Sequence, residues 1–238
     1  MAGTQRVGIV FVSHSSKIAD GLVELTRQMA PNVALIAAGG TDDNEIGTSF
    51  ARVTAAVQAA ESGGGVVVLC DLGSAILTTE TALEFLDDSV RNRIRLVDAP
   101  LVEGGVAAGV AAETGGDLDG VVAAAQSAAG LTAQPATAQP ATGQVPVPGP
   151  GSAAVATRTV TLINRDGLHA RPAAEFAKLA STFDVQITVN GMEATSLLGI
   201  MSLGLSQGMA AEISASGQGA DDAVRALAEL LESGFGET

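Results

Sequence analysis

The chain has 238 residues, 47% of them hydrophobic, and carries a net charge of −14. That charge excludes ordinary nucleic-acid binding, which is driven by Lys and Arg on phosphates, and disfavours an anionic membrane surface. No apolar run reaches the roughly 18 residues that a bilayer span needs. No basic and apolar leader is expected after Met1, and the single cysteine, Cys70, allows no internal disulfide, so a cytoplasmic location is expected.

In chain order, Val7–Val12 reads as a strand and Ile18–Met29 as a helix, with apolar residues at Ile18, Leu22, Leu25 and Met29. Val33–Ala37 reads as a second strand and Ile46–Glu61 as a second helix. Gly65–Cys70 is a near-continuous β-branched run, the pattern of a strand buried on both faces, and Cys70 within it reads as a buried thiol. Ser74–Leu86 follows as a helix, Arg93–Val97 as a strand, and Val102–Glu113 and Leu118–Ala129 as helices. This alternation predicts an α/β domain with a mainly parallel sheet covered by helices, over residues 1–130. Ligands of such sheets meet the carboxyl ends of the strands, where His14 and Asp71 both fall.

Residues 131–156 read as a flexible linker. Leu131–Ser152 holds five of the eight prolines and repeats Ala-Gln-Pro-Ala-Thr, a composition too poor in apolar surface to pack. Residues 157–238 then read as a small α+β domain. Thr157–Ile163, Val185–Val189 and Glu212–Ser216 are its strands, with a turn at Asn190-Gly191. His169–Phe183, Ser196–Leu205 and Asp221–Ser233 are its helices.

The only two histidines each stand where a strand runs into a helix. Unpaired N–H groups at a helix start welcome an anion, and imidazole there can serve as a phosphoryl-accepting nucleophile. His14 lies in Ser13-His-Ser-Ser16. Asp71, from the neighbouring strand end, can fix its tautomer, and Gly73 and Ser74 can supply donors; a helix-capping turn is the alternative for Asp71. His169 precedes Arg171, whose guanidinium matches a phosphoryl group bidentately, and Pro172, which suits a first helical turn. Neither site has the second histidine, cysteine pair or carboxylate cluster of a metal centre, so neither metal nor cofactor is expected.

Gly167-Leu-His-Ala-Arg-Pro-Ala173 followed by Ser196-Leu-Leu-Gly-Ile-Met-Ser-Leu-Gly204 resembles HPr, the phosphocarrier of the bacterial phosphotransferase system. The resemblance runs from about Thr157 to Glu232. It implies that His169 receives phosphate from enzyme I as a pros-phosphohistidine, stabilised by Arg171. Ser196 matches a regulatory kinase site of some HPr proteins, but Thr195 replaces a common lysine, and a helix N-cap is the alternative.

Ile9–Glu113 resembles the EIIA domains of the mannose class. The matching segments are Val12–Lys17, Ala38–Gly40, Ile46–Thr48, Asp71-Leu-Gly-Ser-Ala-Ile-Leu77, Glu80–Leu83 and Ala99–Gly104. More narrowly, the chain resembles the phosphotransferase subunits of PTS-dependent dihydroxyacetone kinases. That resemblance implies a tele-phosphohistidine at His14, fed from His169 or from free HPr. Its acceptor would be ADP on the kinase nucleotide subunit (DhaL), which serves a separate substrate subunit (DhaK). It also implies a homodimer through the EIIA-like domain. Some relatives carry an enzyme I-like portion, which is not expected within these residues. An EIIA component of a mannose-type sugar transporter and a PTS-linked regulatory phosphoprotein are the competing expectations.

Overall fold

The computed structural model describes residues 5–132, 155–165 and 167–236. The chain divides into two compact units, Met1–Leu131 and Thr132–Thr238. Most of the expected linker (residues 133–154) lies outside the described residues.

In the first unit, β1 (Gly8–Ser13), β2 (Leu35–Gly39), β3 (Val66–Cys70) and β4 (Ile94–Val97) form a wholly parallel sheet in the order β2-β1-β3-β4. Helices α1 (Ser16–Arg27), α2 (Phe50–Ala60), α3 (Gly73–Glu84), α4 (Asp88–Arg91), α5 (Leu101–Glu113) and α6 (Leu118–Thr132) connect and cover it. The period of two along β1 divides the core. Val7, Ile9 and Phe11 meet α1, α5 and α6 through Leu22, Ala108, Ala112, Val121 and Ala125. Val10 and Val12 meet α2 and α3 through Val53, Val57, Ala75 and Ala82. Because both faces are covered, the strands read as continuous apolar runs; burying Phe11 alone is worth about 1.5–3 kcal/mol.

β1 leads to β2 on one side and β3 leads to β4 on the other, so the connections leaving β1 and β3 diverge at the carboxyl edge. The crevice opened there lies between the ends of β1 and β3, and it sets His14 beside Asp71. One expected element starts later than its pattern. The helix expected from Ile46 begins at Phe50, after the Ser49 hydroxyl accepts a bond from Arg52 N. Residues 41–49 form a loop over the sheet end, held by the Arg52 guanidinium on Gly39 O at 2.8 Å and Asn44 Oδ1 at 2.7 Å. Cys70, expected buried, is half-buried at the end of β3.

The second unit is an antiparallel sheet in the order β5-β8-β6-β7, made of β5 (Val155–Thr161), β6 (Gln186–Val189), β7 (Met192–Glu193) and β8 (Ala210–Ser216). Helices α7 (Ala170–Ala180), α8 (Leu197–Ser202) and α9 (Ala220–Glu232) cover one face. β8 alternates exposed and buried residues, as a one-sided sheet requires, and its Ala211 and Ile213 share the core with Phe176 and Leu227. The sheet reaches back to Val155, two residues before the expected start of this domain, because Val155 and Ala156 pair with Ser216 and Ala215. β7 was not expected from the sequence. It arises because Asn190 and Gly191 both take positive φ (47° and 79°) and fold the chain into a tight hairpin.

Candidate phosphoryl-transfer sites

His14 follows β1 directly and precedes α1. Asp71 follows β3 and faces it with both oxygens. Oδ1 lies 2.9 Å from His14 Nδ1, and Oδ2 accepts His14 N–H at 2.9 Å and the buried Ser13 hydroxyl at 2.9 Å. Ser15 N–H donates in turn to Ser13 Oγ at 3.1 Å, and Leu72 N–H donates to Asp71 Oδ1 at 2.8 Å. Partial burial pushes the Asp71 carboxyl up, but the bonds from His14 N–H, the His14 ring and the Ser13 hydroxyl together hold it below its usual range. It is therefore an anion that accepts Nδ1–H and leaves Nε2 as the ring nitrogen with a lone pair.

Nε2 lies 2.6 Å from Ser74 Oγ, in the first turn of α3. The N-cap of α3 is Leu72 and not Asp71, whose carboxylate takes one bond from Leu72 N–H and the rest from Ser13 and His14. Two helix starts, of α1 and of α3, bring their unpaired N–H groups to the same edge of the sheet. The loop closes the other side, with Gly47 N–H donating to His14 O at 2.9 Å. Thr48 Oγ1 lies 2.9 Å from Thr78 Oγ1, and this pair ties the loop to α3. Neither contact was read from the sequence, where two threonines thirty residues apart carry no pattern. The neighbouring Cys70 takes no part. Burial, offset only in part by a contact with Thr79, pushes its thiol up to about 11, away from the reactive thiolate.

In the second unit His169 is the N-cap of α7, partly exposed, and its ring makes no capping bond to the helix. Its loop is tightly fixed. Gly167 has φ +66°, and a Cβ there would overlap Leu205 O. Leu168 N–H donates to Leu205 O at 2.8 Å, and buried Asn164 holds Gly167 through both its backbone carbonyl and its side-chain amide. Arg171 reaches Glu175 one turn along α7, at 3.5 Å, and is largely exposed. Ser196 is the N-cap of α8, its hydroxyl accepting Gly199 N–H at 3.2 Å. The N-cap alternative thus describes its place in the fold.

Among the described residues no helix is long and apolar enough to cross a membrane. The family described as the PTS system fructose IIA component matches residues 8–122, and the PTS HPr component phosphorylation site matches residues 156–233. The chain is 36% identical, over 98% of its own length and 51% of the relative's, to the PEP-dependent dihydroxyacetone kinase phosphoryl donor subunit DhaM of Escherichia coli. It is 41% identical to a DhaM of Listeria innocua over 44% of this chain and 84% of that one. It is 40% identical to the phosphocarrier protein NPr of Shewanella violacea, over 34% of this chain and 92% of that one. The chain spans about half the length of the full-span curated relatives it matches. The two matched families, in this order, and the extent of the Listeria match mean that the chain belongs to the DhaM family of phosphoryl donor subunits.

Proposed function

We infer that this chain is a phosphoryl carrier with two histidine stations, a phosphotransferase component of a PEP-dependent dihydroxyacetone kinase. Enzyme I of the phosphotransferase system phosphorylates His169. The phosphoryl group then passes to His14, and from there to ADP held on the nucleotide-binding subunit of the kinase, whose ATP phosphorylates dihydroxyacetone on a separate subunit. Free HPr can load His14 in place of His169. The carrier works in the cytoplasm as a homodimer through its first unit.

The observation that carries the reading is the Asp71–His14–Ser74 chain at the carboxyl edge of a parallel sheet. Asp71 holds Nδ1–H, so the Nε2 lone pair forms the new N–P bond while the bond from phosphorus to the donor imidazole breaks. The product is a tele-phosphohistidine. Its oxygens meet the Ser74 hydroxyl and the first-turn N–H groups of α1 and α3, donors in place before the charge arrives. On His169 the phosphoryl group sits at Nδ1, over the start of α7, with Arg171 released from Glu175 to reach it. The names of the relatives favour a kinase over a transporter domain as the final acceptor.

Single substitutions separate the stations. With enzyme I and labelled phosphoenolpyruvate, His14→Ala is expected to retain label at His169 yet support no ATP formation on the ADP-loaded subunit. His169→Ala is expected to take no label until free HPr is added. Wild-type dihydroxyacetone phosphorylation by His14→Ala would sink the assignment. Mixing the two mutants tests the tether: full-rate complementation in trans would show that transfer within one chain is not needed.

A further inference from the structure

Large apolar side chains are exposed close in sequence to the residues that contact His14. Ile46, 77% exposed, precedes the Gly47 whose N–H holds His14 O. Leu72, 60% exposed, follows Asp71. Leu77, 65% exposed, lies one turn beyond Ser74 on the same side of α3. Their positions follow from the site: each is within three residues of a group that touches His14. The Thr48–Thr78 bond holds the loop of Ile46 against the helix of Leu77, and exposed apolar residues flanking a reactive group mark a protein contact.

The charge next to it says what kind of protein. Asp42, Asp43 and Glu45 are all exposed in the loop that carries Ile46. The Arg52 guanidinium is turned to Gly39 O at the end of β2 and to Asp42 O and Asn44 Oδ1 in that loop, and Lys17 is an exposed cation in the first turn of α1. A free nucleoside diphosphate, itself a polyanion, is repelled by that loop. An acceptor protein that encloses the nucleotide phosphates and presents a basic rim is attracted by it.

We propose that Ile46, Leu72 and Leu77, flanked by Asp42, Asp43 and Glu45, form the docking surface for the nucleotide-carrying acceptor, which meets it with an apolar patch ringed by basic residues. This rests on the phosphoryl-carrier reading above. The donor side is less dependent on the surface. The HPr-like unit is part of the same chain, so its local concentration is on the order of millimolar and tolerates weak docking. The acceptor must find the chain by its own affinity. Loss of the surface therefore separates unloading of His14 from loading.

The test uses the full chain, enzyme I, labelled phosphoenolpyruvate and a purified dihydroxyacetone-kinase nucleotide subunit loaded with Mg·ADP. Ile46→Glu and Leu77→Glu are expected to load His14 at close to the wild-type rate but to raise the KM for the acceptor about tenfold or more. Leu25→Glu, at an exposed apolar position far along α1, is expected to change neither. Replacing Asp43 and Glu45 by Lys is expected to slow transfer to the subunit and flatten its salt dependence, while free Mg·ADP accepts nothing from any variant.

An unchanged acceptor KM in both Glu variants overturns the proposal, as does an equal loss in Leu25→Glu. If Leu77→Glu turns a dimer into a monomer without affecting transfer, the surface belongs to a second copy and the proposal fails. A wild-type chain that loads His14 but gives nothing to the subunit defeats the carrier reading together with the proposal. Transfer that is normal in the wild type and in the variants defeats the proposal alone.

Discussion

The two histidines share a strand-to-helix setting and differ in what holds them. At His14 the protein has fixed the ring: a carboxylate on one nitrogen, a serine hydroxyl on the other, and the backbone pinned through both His14 N–H and His14 O. Beside His169 the protein fixes the backbone, through Gly167, Leu168 and Asn164, and Arg171 is paired along its own helix. The first arrangement orients one nitrogen for a single partner geometry. The second sets a histidine at a helix start on a rigid backbone, which suits the proposed carrier between enzyme I and a downstream site.

The contrast is broken most severely at the platform. Gly167→Ala forces a side chain into a left-handed conformation and onto Leu205 O. The cost is about 3 kcal/mol or more, a large share of the stability of a small unit. The second unit is expected to lose its cooperative melting transition and His169 its label, while loading of His14 by free HPr persists. If the two transitions fall together, the units are not independent.

Asp71→Asn tests the other side. An amide of the same shape loses the anion that fixes Nδ1–H, so phosphoryl acceptance at His14 is expected to fall about 10–100-fold, with His169 labelling unchanged. The pH dependence has a definite sign. The folded Asp71 carboxyl is held below its usual value of 3.8, so its contribution to stability is present above that value and lost as pH falls through the lower folded one. The stability gap between wild type and Asp71→Asn is therefore expected at neutral pH and should close in acid, below about pH 4. A gap that widens in acid would contradict the hydrogen bonds assigned to Asp71.

Core packing beneath the His14 site gives a smaller effect. A Cβ at Gly105 on α5 would overlap the Phe11 ring, the largest fully buried side chain of β1. Gly105→Ala is expected to cost about 1–3 kcal/mol in thermal unfolding of the first unit, with His14 still accepting phosphate. Loss of acceptance without loss of stability would mean that α5 positions the site and does more than pack beneath it.

What was legible in the sequence follows the same division. The parallel sheet, the helices over it and the meeting of His14 with Asp71 could be read because buried strands leave apolar runs and ligands gather at strand ends. The helix expected from Ile46 failed because apolar spacing does not register a loop whose backbone is held by a later arginine, here Arg52 on Gly39 O and Asn44. Ser13 was unreadable as a partner of Asp71, since a serine closing a strand has no signature of its own. In the second unit the histidine motif placed His169 at a helix start, but the pairing of Arg171 with Glu175 depends on rotamers that spacing does not choose. Residues fixed by backbone topology were legible, and those fixed by side-chain reach were not.

Arg171 is where that limit can be tested with the least disturbance to the fold. Its ion pair with Glu175 is solvent-exposed, and pairs of this kind contribute only about 0.3–0.5 kcal/mol. Arg171→Ala and Glu175→Ala should therefore melt within that margin of wild type, which isolates function from folding. Their effects on His169 are expected to diverge. Removing the guanidinium slows phosphoryl acceptance from enzyme I, because a bidentate donor to the phosphoryl oxygens is lost. Removing Glu175 leaves acceptance equal or faster, because Arg171 no longer leaves a partner to reach the phosphate. Arg171→Lys keeps the charge without the planar fork and is expected to recover only part of the rate. Equal rates for Arg171→Ala and wild type would confine this arginine to the surface of α7 and leave the start of that helix, with His169 as its cap, as the whole of the phosphate site in the second unit.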